Sequence, residues 1–274
     1  MLRFLSTMLI WLLLSLPLRA GSAQEAWKLA DALLWPDIIQ MLRQEGISSG
    51  LELPETMFPG RSASNWAQTV TEIYDEKWMT ETSRSAFADA LEDVDLAPAL
   101  AFFQSDLGRR ITALELSARL ALLDSGVEDA SKERLEQMRA DNDPRVGLLA
   151  DFIAANDLLE SNVVGALNSN FAFYTGLSDG GAFPSPLSQD QMLSEVWSQE
   201  STIREDVEAW LFSFLSLAYQ PLSDADLQAY IDISKTPDGQ ALNNALFVAF
   251  DGMFEQISRA LGLAVAQVMV AQDL

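Results

Sequence analysis

The segment "LNNALFVAFDGMFEQISRAL", residues 242–261, decides the fold class of this chain. Apolar residues recur in it every three or four positions, and this spacing places them on one face of an α-helix. The residues of that face are Leu242, Leu246, Ala249, Met253, Ile257 and Leu261. A half-buried strand would alternate apolar and polar residues instead. The segment therefore predicts a long amphipathic helix with one buried face.

The same periodicity covers most of the chain. Ile111, Leu114, Ala118 and Leu122 form a second helical face, and residues 146–176 predict one long apolar helix or a helix pair. Pro36 is placed to begin a helix that runs to about Glu45, with Gly46 as its end. Clear strand and hairpin patterns are not found. The sequence thus predicts an all-α protein, built as a helical bundle.

A shift of 131 positions relates two segments of the chain. "LEDVDL" at 91–96 falls on "LSDADL" at 222–227, and Gly108 falls on Gly239. We interpret the match as an internal duplication. It predicts one all-α domain, residues 24–274, made of two tandem-duplicated repeats at about 24–125 and 145–274.

The paired aspartates of "LSDADL" have two interpretations, a metal site and a helix start. Ser223 is a good N-cap, and Asp226 is placed to return a bond to the Ser223 amide, which is a capping box. Asp224 adds a negative charge in the first turn, where the helix dipole favours it. Residues two apart on a helix point in nearly opposite directions, so both aspartates cannot face one metal. The sequence favours caps at Ser223, Asp226 and, in "KTPDGQ", at Thr236, and it predicts no metal site.

The first residues predict export. Arg3 precedes an apolar run that ends at Pro17, and the small residues of "AGSA" follow, with Ala23 at the expected cleavage point. The run is shorter than the roughly 20 residues of a membrane-spanning helix. We therefore expect a signal peptide at residues 1–23, a periplasmic location, and no integral membrane segment after cleavage.

Composition excludes several classes of chemistry. The chain has 17 Lys and Arg against 40 Asp and Glu, a net charge of −23, and removing residues 1–23 takes away only Arg3 and Arg19, which leaves −25. Nucleic acid is not an expected partner, because its binding needs clustered cations. The chain also lacks Cys and His, which excludes thiol nucleophiles and Ser-His-Asp triads. We expect no cofactor and assign no catalytic residue.

The segments "FFQSDLGRRI" and "ISKTPDGQAL" resemble a family of secreted bacterial proteins called domain of unknown function 2059. The family has an acidic helix start, a Ser/Thr-Pro-x-Gly-Gln turn and an amphipathic helix after it. The resemblance is strongest at about 222–262, since the first half lacks the Pro and the Gln. It implies a mostly helical exported protein and assigns no activity or functional residue.

Three functions remain open from the sequence. Composition favours a non-catalytic interaction or envelope-associated protein. The alternatives are a small-ligand binder with a cleft between the two repeats and a carboxylate-dependent hydrolase or lyase. The partner, whether protein or small molecule, and the oligomeric state are not determined. Aromatic residues such as Trp66, Trp78, Trp197 and Trp210 are candidates to line a pocket, although core packing is the commoner role.

One polar pair is the leading candidate for a site. Under the shift of 131, Glu115 falls on Leu246 and Arg119 on Phe250, so two charges stand where the other half carries apolar residues. The two are four positions apart, with Glu on the N-terminal side, which favours an ion pair on one helix. The pair is expected either at the surface or facing a cleft. In a cleft it would be a candidate to contact a ligand or a partner.

Overall fold

A computed structural model describes residues 20–57 and 65–271, and within these ranges it is helical without any strand. The all-α class predicted from the sequence is confirmed. Most of the predicted signal peptide, residues 1–19, lies outside the described residues. The helices are α1 (Ala20–Ala32), α2 (Trp35–Met57), α3 (Trp66–Ile73), α4 (Glu76–Ala90), α5 (Ala97–Phe103), α6 (Asp106–Ala121), α7 (Ser125–Ala140), α8 (Arg145–Ala155), α9 (Leu158–Asp179), α10 (Gln189–Trp197), α11 (Glu200–Ala218), α12 (Asp224–Ser234) and α13 (Pro237–Ala271).

Helix α2 does not end where the sequence indicated. Gly46 was expected to stop the helix, yet α2 continues to Met57. A Cβ on Gly46 would lie 2.1 Å from Cε1 of Tyr74, and one on Gly50 would lie 2.7 Å from Val70. Both glycines are therefore places where α3 packs closely on α2, and neither is a helix end.

The apolar segment at 146–176 forms the helix pair that was one of its two predicted forms. Helix α8 ends with Asn156 as its C-cap, and Asp157 has a left-handed φ of 49° before α9 begins. Asparagine and aspartate tolerate that conformation better than other residues with a Cβ. The two polar residues thus divide the segment into two helices.

The largest core forms around the long C-terminal helix. The predicted face of α13 is buried or half-buried at every position, from Leu242 to Leu261, and it packs against α4 and the helices before it. Trp35 lies at the centre, fully buried, with its ring centroid 4.8 Å from those of Phe87 and Phe250. Its indole N–H donates to Ser83 Oγ at 3.0 Å, so the polar atom of the ring is satisfied inside the core.

A second core joins α6 of the first half to helices of the second. Ile111 of α6 packs in one cluster with residues of α8, α11 and α12, among them Leu149, Leu215 and Leu227. A small third cluster joins α9 to α10 through Val163, Leu167 and Val196. Each half therefore contributes a helix to the core of the other: α13 packs on α4, and α6 packs on α11.

Two helix corners, 131 positions apart, have the same hydrogen bonds. Ser105 Oγ accepts from Gly108 N at 3.0 Å and donates to Phe102 O. Thr236 Oγ1 accepts from Gly239 N at 3.0 Å and donates to Ile233 O. A Cβ on either glycine would lie 2.1 Å from that same carbonyl oxygen. The two corners are thus locally equivalent, while the duplication of the complete halves stays a prediction.

None of the described helices combines the length and the apolar composition that crossing a membrane requires.

Candidate functional site

A cavity of about 630 Å³ lies between the helices of the two cores. Its walls come from both halves of the chain: α2, α5 and α6 from the first half, and α8, α9, α11, α12 and α13 from the second. Most of the lining is apolar or aromatic. The volume is in the range, roughly 300–1,000 Å³, of pockets that take small organic ligands. Its polar wall residues include Thr112, Glu115, Arg119, Asn156, Asn162 and Asp251.

Glu115 presents a carboxylate to this cavity. It projects from the middle of α6, on the side that packs against α11, and Tyr219 Oη donates to its Oε1 at 2.6 Å. Tyr230 hydrogen-bonds the same carboxyl group. Part of the Glu115 surface remains accessible because it faces the cavity, although protein surrounds the residue. The aromatic rings of Phe152, Tyr219 and Tyr230 pack on one another beside it.

The surroundings of Glu115 change its acidity. Loss of hydration raises the pKa of the Glu115 carboxyl to about 7, and the hydrogen bonds from Tyr219 and Tyr230 oppose that rise. The same burial, together with the charge of Glu115, raises the pKa of both tyrosines well above the ordinary value. Near neutral pH the carboxyl therefore exchanges a proton, while the two hydroxyls stay protonated and donate to it.

Arg119 also lines the cavity, one turn further along α6, but its ionic partner lies elsewhere. Its Nη2 atom lies 2.8 Å and 3.0 Å from the two carboxylate oxygens of Glu45 on α2. The guanidinium carbon lies 4.5 Å from the centroid of the Trp210 ring, a cation–π contact. Arg119 thus joins α6 to α2 and α11.

The expected ion pair between Glu115 and Arg119 is not formed. The structure brings both residues to the cavity wall, but each has a partner on a different helix. Spacing along one helix predicted which side chains are neighbours. It could not show that Glu45 and Tyr219 would compete for them, because those residues are 74 and 104 positions away.

Of the capping residues, Thr236 lines the cavity, whereas Ser223 and Asp226 do not. Ser223 Oγ accepts from Asp226 N at 3.1 Å, and the Asp226 carboxylate accepts from Ser223 N at 3.4 Å, which is a capping box at the start of α12. Thr236 caps α13 through the bond that its hydroxyl accepts from Gly239 N. No described group of three or more acidic side chains is placed to hold a metal ion.

The aspartates of "LSDADL" also have arginine partners. Asp224 pairs with Arg145, whose guanidinium donates to Tyr219 O at 2.6 Å and to Leu222 O at 3.0 Å. Asp226 lies 3.8 Å from Arg110 of α6. The two arginines fix the turn between α11 and α12, and with it the position of Tyr219 beside Glu115.

The four tryptophans proposed for a pocket have different positions. Trp210 lines the cavity, stacked on Phe214 at 5.1 Å between ring centroids. Trp66 is buried in the core, where its indole donates to Gly50 O at 2.8 Å. Trp78 packs at the edge of the same core, and Trp197 is 62% exposed. The sequence could not distinguish these environments. Helical spacing shows which face of a helix a residue lies on, but it does not show which other helices pack against that face.

Sequence reasoning missed Asp251 and Tyr230. Asp251 lies on α13 beside α9, since a Cβ on Gly165 would lie 2.7 Å from its Oδ1. Loss of hydration and the neighbouring charge of Glu255 raise the pKa of Asp251 to about 6. Its signal in the sequence was a carboxylate among the apolar residues 245–254. Tyr230 gave no such signal, because a tyrosine on a helix is ordinary.

Comparison with known proteins gives one match. Residues 78–137 match the family described as "Uncharacterized protein conserved in bacteria (DUF2059)", which confirms the resemblance stated from the sequence. The match covers α4 to α7, including Glu115 and Arg119, and not residues 222–262, where we placed the strongest resemblance. No curated protein and no solved structure matches the chain.

Proposed function

We propose that this protein binds a small organic ligand in the cavity between its two halves. The observation that carries the proposal is the cavity itself, about 630 Å³ with mainly apolar and aromatic walls and few polar groups. Binding sites for small molecules have this character, in which apolar walls supply affinity and a few polar groups fix orientation.

The polar side chains of the wall support the same function. Asn156 donates to Phe152 O, Asn162 to Leu158 O, and Asn243 to Asn156 O, so these amides are occupied by backbone carbonyls. Glu115 is held by two hydroxyls and still faces the cavity. Glu115 is therefore a hydrogen-bond acceptor in a fixed position, and such a group can orient a ligand in an apolar cavity.

The proposed duplication relates residues of two helices that line the cavity. Wall residues of α6 correspond, under the shift of 131, to wall residues of α13: Thr112 to Asn243, Glu115 to Leu246, and Arg119 to Phe250. A site between two related helices arises when the copies pack face to face. Replacement of two apolar residues by charges in one copy then supplies the polarity that the other lacks.

Binding of a neutral apolar probe tests the proposal. N-phenyl-1-naphthylamine gains fluorescence in apolar sites, and we expect saturable binding with one probe per chain. Ala166 of α9 lines the cavity, so Ala166→Trp should fill it and weaken binding by about tenfold or more. Val164 is 51% exposed on the same helix, so Val164→Trp should leave binding unchanged and serves as the control. Equal binding by both variants, or none by the unaltered protein, would contradict the proposal.

Export is part of the proposal. The signal pattern at residues 1–23 supports it. Among the residues whose burial the structure describes, the first core residue is Ala26, which follows the expected cleavage point, so cleavage would remove no described core side chain. The N-terminal sequence of protein recovered from the periplasm should begin at Gln24. Recovery of a chain with Met1 intact in the membrane fraction would contradict this.

A carboxylate-dependent hydrolase or lyase is the second candidate. Glu115 supports it, because a carboxyl with a pKa raised to about 7 in a cavity is suited to accept a proton near neutral pH. Turnover of ester, amide or glycoside test substrates that Glu115→Gln abolishes would favour catalysis over binding.

A further inference from the structure

The charges around the cavity are unbalanced. Arg119 is the one basic residue among the described residues of the lining, and its guanidinium is held by Glu45 and by the face of Trp210. Acidic side chains of the lining are Glu115, Asp238 and Asp251. The wall therefore presents negative charge without a free cation to match it, in a chain whose net charge is −23.

Glu115 is prepared to accept hydrogen bonds. The hydroxyls of Tyr219 and Tyr230 donate to its carboxyl, which favours the ionised form, whereas the loss of hydration disfavours it. A charged group inside a protein is expensive unless it is paired. A cation that entered the cavity would supply the missing partner of Glu115. It would thereby shift the protonation equilibrium of this carboxyl toward the ionised form.

The aromatic residues of the cavity wall also favour a positively charged ligand. Ring faces attract cations, and the effect grows where water is excluded. Tyr219 and Tyr230 hydrogen-bond the Glu115 carboxyl, Phe152 packs against both rings, and further apolar residues line the same cavity. An anionic head would meet Glu115 and these ring faces unfavourably.

We propose that the ligand is an organic cation, an amine or quaternary ammonium with an apolar body, whose charged head pairs with Glu115. This inference rests on the proposed binding function and specifies its ligand class. Glu115 acts as the counter-ion, Tyr219 and Tyr230 hold that carboxylate in place, and the apolar wall accepts the body of the ligand.

Calorimetric titration with three probes of equal chain length tests the inference: octylammonium, 1-octanol and octanoate. Octylammonium should bind at least about 30-fold more tightly than 1-octanol, since a charge pair made away from water is worth roughly 2 kcal/mol or more, and octanoate should bind most weakly. Glu115→Gln, which keeps the shape of the side chain, should remove this preference, so that the variant binds octylammonium no more tightly than 1-octanol. The control is Asp106→Asn on the same helix, because Asp106 faces solvent.

A pH series with the unaltered protein gives a second measurement that needs no variant. An alkylammonium, like lysine, keeps its charge until about pH 10. Its affinity should therefore rise between about pH 6 and pH 8 as Glu115 ionises around its pKa of about 7, while 1-octanol affinity stays constant. Tyr219 and Tyr230 hydrogen-bond Glu115. The other charged residues of the lining are Arg119, which pairs with Glu45, Asp238, and Asp251 with a pKa of about 6.

The outcomes separate the two proposals. Equal affinity for octylammonium and 1-octanol, or an ammonium preference that Glu115→Gln retains, overturns the cationic ligand and leaves the cavity function standing. Absence of binding by all three probes and by N-phenyl-1-naphthylamine overturns the binding function and the inference together.

Discussion

At the scale of the residue, Glu115 shows how surroundings change one side chain. On an exposed helix it would be an ordinary acid with a pKa near 4.5. Against the rings of Tyr219 and Tyr230 its carboxyl loses hydration, and its pKa rises to about 7. The folded protein therefore holds a proton on Glu115 at pH values where the unfolded chain has released it.

This difference predicts a pH dependence of stability. Between about pH 4.5 and pH 7 the folded state binds more protons than the unfolded state, so stability should fall as pH rises through this window and level off above it. The raised pKa of Asp251 acts in the same direction, from about pH 4 to pH 6. In Glu115→Gln the loss of unfolding free energy between these pH values should be smaller, by an amount on the order of 1–3 kcal/mol. Denaturant unfolding at pH 5 and pH 8 measures it, and equal slopes in both proteins would contradict the assignment.

The cap at Ser223 gives a second prediction at this scale. Ser223→Ala removes the hydroxyl that accepts from Asp226 N and should lower the free energy of unfolding by about 1 kcal/mol. Ser194 is exposed inside α10, so Ser194→Ala should have no comparable cost. Magnesium or calcium should leave the melting temperature of the unaltered protein nearly unchanged. A stabilisation by either metal that Asp224→Asn abolishes would revive the metal interpretation.

At the scale of the element, the packing of α9 on α13 depends on small residues. A Cβ on Gly176 would lie 2.1 Å from Arg259 O, and one on Gly262 would lie 2.1 Å from Phe173 O. The backbones of the two helices thus approach so closely at these positions that only glycine, which lacks a Cβ, fits there. The crossing also positions Asp251 of α13 against Gly165 of α9, at the cavity wall.

Gly262→Ala should therefore destabilise the protein by about 1–3 kcal/mol or more, because the added methyl group meets backbone that cannot move without separating the helices. Gly252 is on the same helix, and a Cβ added to it would meet no neighbouring atom within 4 Å, so Gly252→Ala should stabilise by about 0.5–1 kcal/mol through its better helix propensity. Thermal unfolding of both variants distinguishes them. The same sign of change in both would refute the close crossing.

At the scale of the whole molecule, each half completes the core of the other. Met79 and Phe87 of α4 are fully buried in the cluster that contains Ala249 and Met253 of α13. Conversely, Ile111 of α6 is buried with helices that follow residue 145. The cavity lies between helices of the two halves, so it exists only when both halves are present.

Because each half completes the core of the other, we predict that neither half folds alone. Fragments 24–142 and 143–274, made separately, should lack cooperative thermal unfolding, because the apolar faces of α4 and α6 lose their partners. Mixing the fragments should restore cooperativity and binding of the naphthylamine probe. A cooperative transition in either fragment by itself would show that the halves are independent domains.

The sequence by itself determined the helical class, the buried face of α13 and the residues that begin α12 and α13. These depend on local terms, namely 3.6-residue periodicity and hydrogen bonds within four positions, which a single segment contains. Only the tertiary structure decided that Gly46 lies inside a helix, that Arg119 pairs with Glu45, and that Glu115 meets Tyr219 and Tyr230 at a cavity. Those outcomes depend on side chains tens of residues apart, and their positions are set by which helix faces pack together.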